Sequence, residues 1–222
     1  MRRTAEAAHR GRRAFTRTEI VAVVSVLAVL TALAVPWLVD VRKKALRIGC
    51  VSRLKNIGLS FRIFATDRTN KFPWQLTADL GGTSGYTSDV AQTWRHFLPI
   101  SNELSTPVIL RCPADHERPK TTSFSAFNGN HQLSYFIGMG ASELAPDSIM
   151  AGDRNLLLDG APIEGRLVTV PSNAVVAFDH RIHRDVGNIL FGDGSVRQVT
   201  SSELNDAVRR AAVVSTNLWL VP

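Results

Sequence analysis

The chain has 222 residues, 45% hydrophobic and 20% charged, a balance that excludes both a disordered segment and a protein embedded throughout in lipid. Its 26 basic and 19 acidic residues give a net charge of +7. The first 14 residues hold five arginines (Arg2, Arg3, Arg10, Arg12, Arg13) and one acid, Glu6, so +4 of that charge sits there and the basic excess is not a nucleic-acid-binding face.

The first predicted element is an apolar segment from Ile20 to Val39, IVAVVSVLAVLTALAVPWLV, with no charged residue. At about 1.5 Å per residue it reaches about 30 Å, the thickness of a bilayer's hydrocarbon core. A secretory h-region is shorter, about 7–15 residues. The segment also runs on through Pro36 into a basic stretch instead of ending at a small-residue cleavage site. It therefore reads as a retained anchor. Charge does not orient it: six arginines precede it, counting Arg17, and six basic residues follow (Arg42, Lys43, Lys44, Arg47, Arg53, Lys55).

Beyond the anchor, apolar residues recur at Leu46, Cys50, Leu54, Ile57, Phe61 and Phe64, in steps of 4, 4, 3, 4 and 3. That is the stripe of an amphipathic helix. Turn residues from Asp67 to Pro73 end it. The prediction is one helix from about Thr16 to Asp67, about 78 Å long, with one half in lipid and the other on a domain. Gly49, Gly58 and Pro36 are the places where it could bend.

From Lys71 onward the pattern mixes short elements. Val90–Leu98 is predicted helical. Val108–Arg111, Leu133–Ile137, Ser148–Ala151, Leu167–Val170 and Ala174–Phe178 are predicted strands. Thr200-Ser201-Ser202-Glu203 fits a capping box that opens a helix to about Ala212. Leu218-Trp219-Leu220-Val221 reads as a last strand or extended segment. Asp193-Gly194 lies between two strand-like runs, the pattern of a type I′ hairpin, and a two-residue turn would set Phe191 opposite Val196. The fold class is α+β: a long N-terminal helix, half transmembrane and half amphipathic, packed on a small antiparallel-sheet domain.

Few residues suggest chemistry. Cys50 and Cys112 could form one disulfide if the domain lies outside the cytoplasm, or remain two buried thiols. His180, His183, Asp179, Asp185 and Asp193 are donor types that suit zinc, but Arg181 and Arg184 lie among them, so the segment reads as a hydrogen-bonded polar loop rather than a metal site. Gly152-Asp153-Arg154-Asn155 reads as a structural turn. His96, His116 and His131 have no carboxylate or cysteine partner evident in sequence. No nucleophile elbow, H-E-x-x-H, P-loop or dinucleotide fingerprint occurs, so neither an enzyme nor a cofactor is expected.

Two motifs carry a family resemblance. Ala14-Phe15-Thr16-Arg17-Thr18-Glu19 precedes the apolar run; counting from Phe15, Glu19 is fifth and Pro36 twenty-second. This spacing resembles the prepilin-type cleavage and methylation motif of type IV pilins and type II secretion pseudopilins. Further on, His183 and Asp193-Gly194 are separated by nine residues, which resembles the H-X9-DG domain that accompanies such N-termini. Cys50 through Leu59, Phe72-Pro73 and Cys112-Pro113-Ala114-Asp115 also look like that family. The residue before the cut is usually Gly there and is Ala14 here; the positions after Phe15 and Thr16 are usually apolar and are Arg17 and Thr18 here.

The resemblance implies a leader, residues 1–14, cut between Ala14 and Phe15 by a prepilin peptidase. It implies a helix over 15–68 with a span at 20–39, and an extracytoplasmic domain over 69–222 holding the motif at 183–194. The protein would sit in the inner membrane as a single-pass subunit and pack with other pilin-like subunits through that helix. Glu19 would neutralise the new amine of Phe15 on a neighbour, and Pro36 would belong to the same assembly helix. No cofactor, metal or nucleic acid is implied. The alternative is a membrane-anchored module that binds an extracytoplasmic ligand or polysaccharide and forms no filament. A tethered hydrolase using the His180/His183 loop ranks below both.

Overall fold

The computed structural model describes residues 16–222. The chain divides into two compact units, one ending at Lys44 and one running from Ala45 to Pro222. Helix α1 (Arg17–Thr66) contributes to both. Its start is fixed by a capping box. Thr16 Oγ1 accepts from the Glu19 amide (3.3 Å), and Glu19 Oε2 accepts from the Thr16 amide (2.8 Å) and hydroxyl (2.8 Å). Every side chain from Ile20 to Val35 is exposed. The hydroxyls in this stretch bond back to their own helix: Ser25 donates to the Ala22 carbonyl (2.8 Å) and Thr31 to those of Leu27 and Ala28 (2.9 Å each). A helix in hydrocarbon must satisfy its polar groups in this way.

The second unit has three layers. Its centre is a six-stranded antiparallel sheet in the order β5-β9-β1-β2-β7-β8. The strands are β1 (Tyr135–Gly138), β2 (Ile149–Asp153), β5 (Arg166–Thr169), β7 (Val186–Phe191), β8 (Val196–Thr200) and β9 (Leu218–Val221). A small second sheet joins β3 (Leu156–Leu158), β4 (Ala161–Pro162) and β6 (Val176–Phe178) in the order β4-β3-β6. Side chains alternate across the main sheet, as the two-residue period of a strand dictates. Tyr135 and Ile137 join one core cluster with Cys50, Leu54, Ile57, Phe61 and Phe64 of α1. Phe136 joins the other, with Leu204, Ala207, Val208 and Ala211 of the helix Ser201–Val214. The architecture is thus α+β, with the apolar stripe of residues 50–64 as one wall of the core.

Gly58 lets α1 approach the sheet: a Cβ there would lie 2.6 Å from Leu190 Cδ1. The glycine expected as a bend is instead a point of close approach. Phe61 holds the segment that follows the helix, with ring centroids 6.3 Å from Phe72, 5.2 Å from Trp74 and 5.6 Å from Phe97, all in tilted or edge-on geometry.

Two expectations are corrected. Val108–Arg111 is not a strand: the chain turns through a 3-10 helix, Pro107–Leu110, because Thr106 accepts from the Val108 amide and Pro107 fixes the first helical φ. The run predicted helical at Val90–Leu98 is a helix, of the 3-10 kind over Val90–Ile100, followed by the four-residue α2 (Ser101–Leu104). The hairpin between β7 and β8 has a three-residue loop, Gly192-Asp193-Gly194. It pairs Leu190, not Phe191, with Val196, and the Phe191 amide donates to the Ser195 carbonyl at 2.9 Å. A type I turn followed by one residue in the left-handed region needs positive φ only at its end, and Gly194 supplies it at +81°. By contrast, Thr200 and Glu203 form the capping box of the final helix, α3 (Ser201–Val214), and Leu218–Val221 is a strand.

Candidate functional site

The residues singled out in the sequence fall into separate places. Ala14 and Phe15 lie outside the described residues. Glu19 caps the first turn of α1, and Pro36 lies within that helix. Among the described residues, α1 is the one helix long and apolar enough to cross a membrane. His183 and Asp193-Gly194 do not meet. The six residues of β7 stand between them, and at about 3.3 Å per residue they separate the two ends by about 20 Å. Asp193 and Gly194 shape the hairpin tip: Asp193 Oδ1 accepts from the Ser195 amide (2.8 Å), and its carbonyl accepts from Arg62 Nη1 on α1 (3.0 Å).

His183 sits at the other end of β7, in a buried polar centre. Cys50, on α1, and Cys112, after the Pro107–Leu110 turn, form a disulfide with Cα atoms 5.2 Å apart. His183 Nε2 stands 3.3 Å from Cys112 Sγ and 3.6 Å from Asp153 Oδ2. Asp153 ends β2 with no exposed surface, and its Oδ2 accepts from both the amide and the side chain of Asn188 on β7 (2.8 Å each). Arg47 of α1 donates to the His183 carbonyl (3.2 Å). Burial pushes the Asp153 carboxyl up to about 7, against the pull of the Asn188 hydrogen bonds. Burial, helped by the nearby Arg47 charge, pulls His183 down to about 4. Between those values both groups are uncharged, so their 3.6 Å contact is not an ion pair at mildly acidic pH.

The next residue carries a second centre. Arg154 is fully buried and forms a two-toothed pair with Asp115, Nε to Oδ2 at 2.9 Å and Nη2 to Oδ1 at 3.1 Å. It also reaches Glu117 and Glu164. Glu164 accepts from Arg118 (2.6 Å) and Arg181 (2.8 Å), and Arg181 Nε donates to Asp179 Oδ2 (2.6 Å). Burial opposes the charge of Asp115, but its bonds to Arg154 outweigh that and hold its pKa below the ordinary value. The Asp179–Asp185 loop, weighed as a source of metal ligands, is thus tied into an ion network through Asp179 and Arg181.

Gly152-Asp153-Arg154-Asn155, read from sequence as a structural turn, ends the central strand β2 at Asp153 and bends through Arg154 and Asn155 toward β3; it is also the hub of both centres. One signal pointed to it weakly: three polar residues, Asp153-Arg154-Asn155, one glycine after the apolar Ile149-Met150-Ala151. His96 is also fully buried, with Nδ1 2.7 Å from Thr83 Oγ1, a partner the sequence did not suggest. Comparison of the chain with models of known families, with curated proteins and with solved structures finds no match.

Proposed function

We propose that this chain is a structural subunit of a type IV pilus-like or type II secretion pseudopilus-like envelope assembly. In this reading it is processed by a prepilin peptidase, anchored in the inner membrane with its domain on the outer side, and packed with similar subunits through its N-terminal helix. One observation carries the reading: α1 exposes every side chain from Ile20 to Val35, while its residues 50–65 build the core of the following domain. An uncharged helix surface of that length needs lipid or other helices around it. The Phe15, Glu19 and Pro36 spacing supports the same reading.

Glu19 has two roles to distinguish. It caps its own helix, and in an assembly it would pair with the amine of Phe15 on a neighbour. Glu19→Gln separates them, because glutamine at this position still completes a capping box but carries no charge. The prediction is that lysine-specific crosslinking in membranes gives subunit ladders for the native chain and none for Glu19→Gln, with the monomer still membrane-bound. Ladders that persist in Glu19→Gln limit Glu19 to capping. A mature N-terminus other than Phe15, read by mass spectrometry, refutes the processing step.

A further inference from the structure

We propose that the reduced chain binds one tetrahedral divalent metal ion, zinc by its donor set, through Cys50, Cys112, His183 and Asp153. The Sγ atoms of Cys50 and Cys112 and Nε2 of His183 all lie within 4.8 Å of one another, and all three residues are buried. In a tetrahedral zinc site, with bonds of about 2.0–2.3 Å, neighbouring donor atoms stand about 3.3–3.8 Å apart. His183 Nε2 already meets that spacing on two sides, 3.3 Å to Cys112 Sγ and 3.6 Å to Asp153 Oδ2. One nitrogen thus faces a sulfur and a carboxylate oxygen at ligand–ligand distance. The bond between the two sulfurs must open, and Asp153, which stands beside His183 but outside that 4.8 Å group, must close on the ion.

The surroundings fit an ion. Asp153 is fully buried, and its second oxygen, Oδ1, has no hydrogen-bond partner among the described residues. Its Oδ2 is aimed by two hydrogen bonds from Asn188 (2.8 Å each), the kind of outer support that orients ligating carboxylates. Two thiolates and one carboxylate around a divalent ion leave one negative charge, and Arg47, bonded to the His183 carbonyl, lies beside it. The inference does not depend on the assembly reading, since all the donors belong to one domain.

The disulfide and the metal exclude each other. A trialkylphosphine gives two electrons to the Cys50–Cys112 bond and, with one water, becomes the phosphine oxide while two thiols form. The ion then displaces the two thiol protons, together with the Asp153 carboxyl proton where that group still holds one, and forms two metal–sulfur bonds. Reoxidation by a disulfide or quinone removes two electrons, restores the sulfur–sulfur bond and expels the ion. The same residues therefore serve as a metal clip in a reducing compartment and as a covalent clip in an oxidising one.

The test uses the full chain in detergent, reduced with a phosphine and titrated with cobalt(II), then zinc. The expected result is one ion per chain by elemental mass spectrometry. The cobalt form should show the intense visible bands of tetrahedral coordination and a near-ultraviolet thiolate charge-transfer band, and the oxidised chain should show neither. His183→Ala should weaken binding about 100-fold, and Asn188→Ala, which touches only the carboxylate ligand, about 10-fold. Circular dichroism on each variant separates lost ligands from lost fold. Less than one ion per reduced native chain, whether folded or not, overturns the proposal. So does cobalt bound with the same spectrum and affinity in a folded His183→Ala chain.

Discussion

His96 has no exposed surface, and burial pulls its pKa down to about 4. In the unfolded chain an imidazole titrates at about 6.5. The folded form therefore takes its proton later than the unfolded form. The stability tied to the neutral ring is present above pH 6.5 and is lost as pH falls through 4. The expected loss is up to about 3 kcal/mol over that window. Urea unfolding followed by tryptophan fluorescence at pH 7, 5 and 4 measures it, and His96→Gln should flatten the slope. Arg154 sets a second residue-scale expectation. Asp115→Ala leaves a buried guanidinium short of its two-toothed partner and should destabilise by about 3–5 kcal/mol. The pair Asp115→Leu with Arg154→Met should recover much of that, because neither charge is then left alone. A double-mutant cycle by urea unfolding reads the difference.

At the scale of elements, the disulfide ties α1 to the loop before the sheet. Cys50 and Cys112 are 62 residues apart, and closing a loop of that size stabilises by about 4 kcal/mol in the chain-entropy account. Cys112→Ser, or reduction without metal, should lower the unfolding free energy by about that amount. The hairpin loop depends on Gly194 at φ +81°. Gly194→Ala forces a β-carbon into the left-handed region and should cost about 1–2 kcal/mol in the same assay. What could be read from sequence at this scale follows from local chemistry. The 4-4-3-4-3 stripe, the Thr200/Glu203 box and the Asp-Gly turn each act within a few residues, and each produces the expected element, though the loop is one residue longer than two. Val108–Arg111 failed because Thr106 and Pro107 outweigh a short β-branched run. The buried centres were hidden for a different reason. Asp153 and Arg154 find partners at residues 115, 117, 164, 183 and 188, which only the completed sheet brings together. Read singly, Gly-Asp-Arg-Asn has the composition of a turn, and residues of this kind are depleted in central strands.

For the whole molecule, two features matter: a helix surface left open over residues 20–35, and a three-layer domain whose last strand is internal. β9 (Leu218–Val221) pairs with β1 on one side and β5 on the other, and Arg118 holds the Pro222 carbonyl at 3.2 Å. Removal of residues 216–222 should therefore abolish the cooperative unfolding transition, since it splits the sheet and bares Phe136, whose ring stacks on Trp219 at 4.8 Å. The position of this strand also governs timing. Synthesis runs from the N-terminus, so the apolar helix leaves the ribosome long before the sheet can close. Until residue 221 has been made, β5 and β1 face each other across an unfilled slot with two open edges. Such edges template aggregation. Emergence of the early helix therefore precedes folding of the domain, and those edges stay open until the last strand has been made.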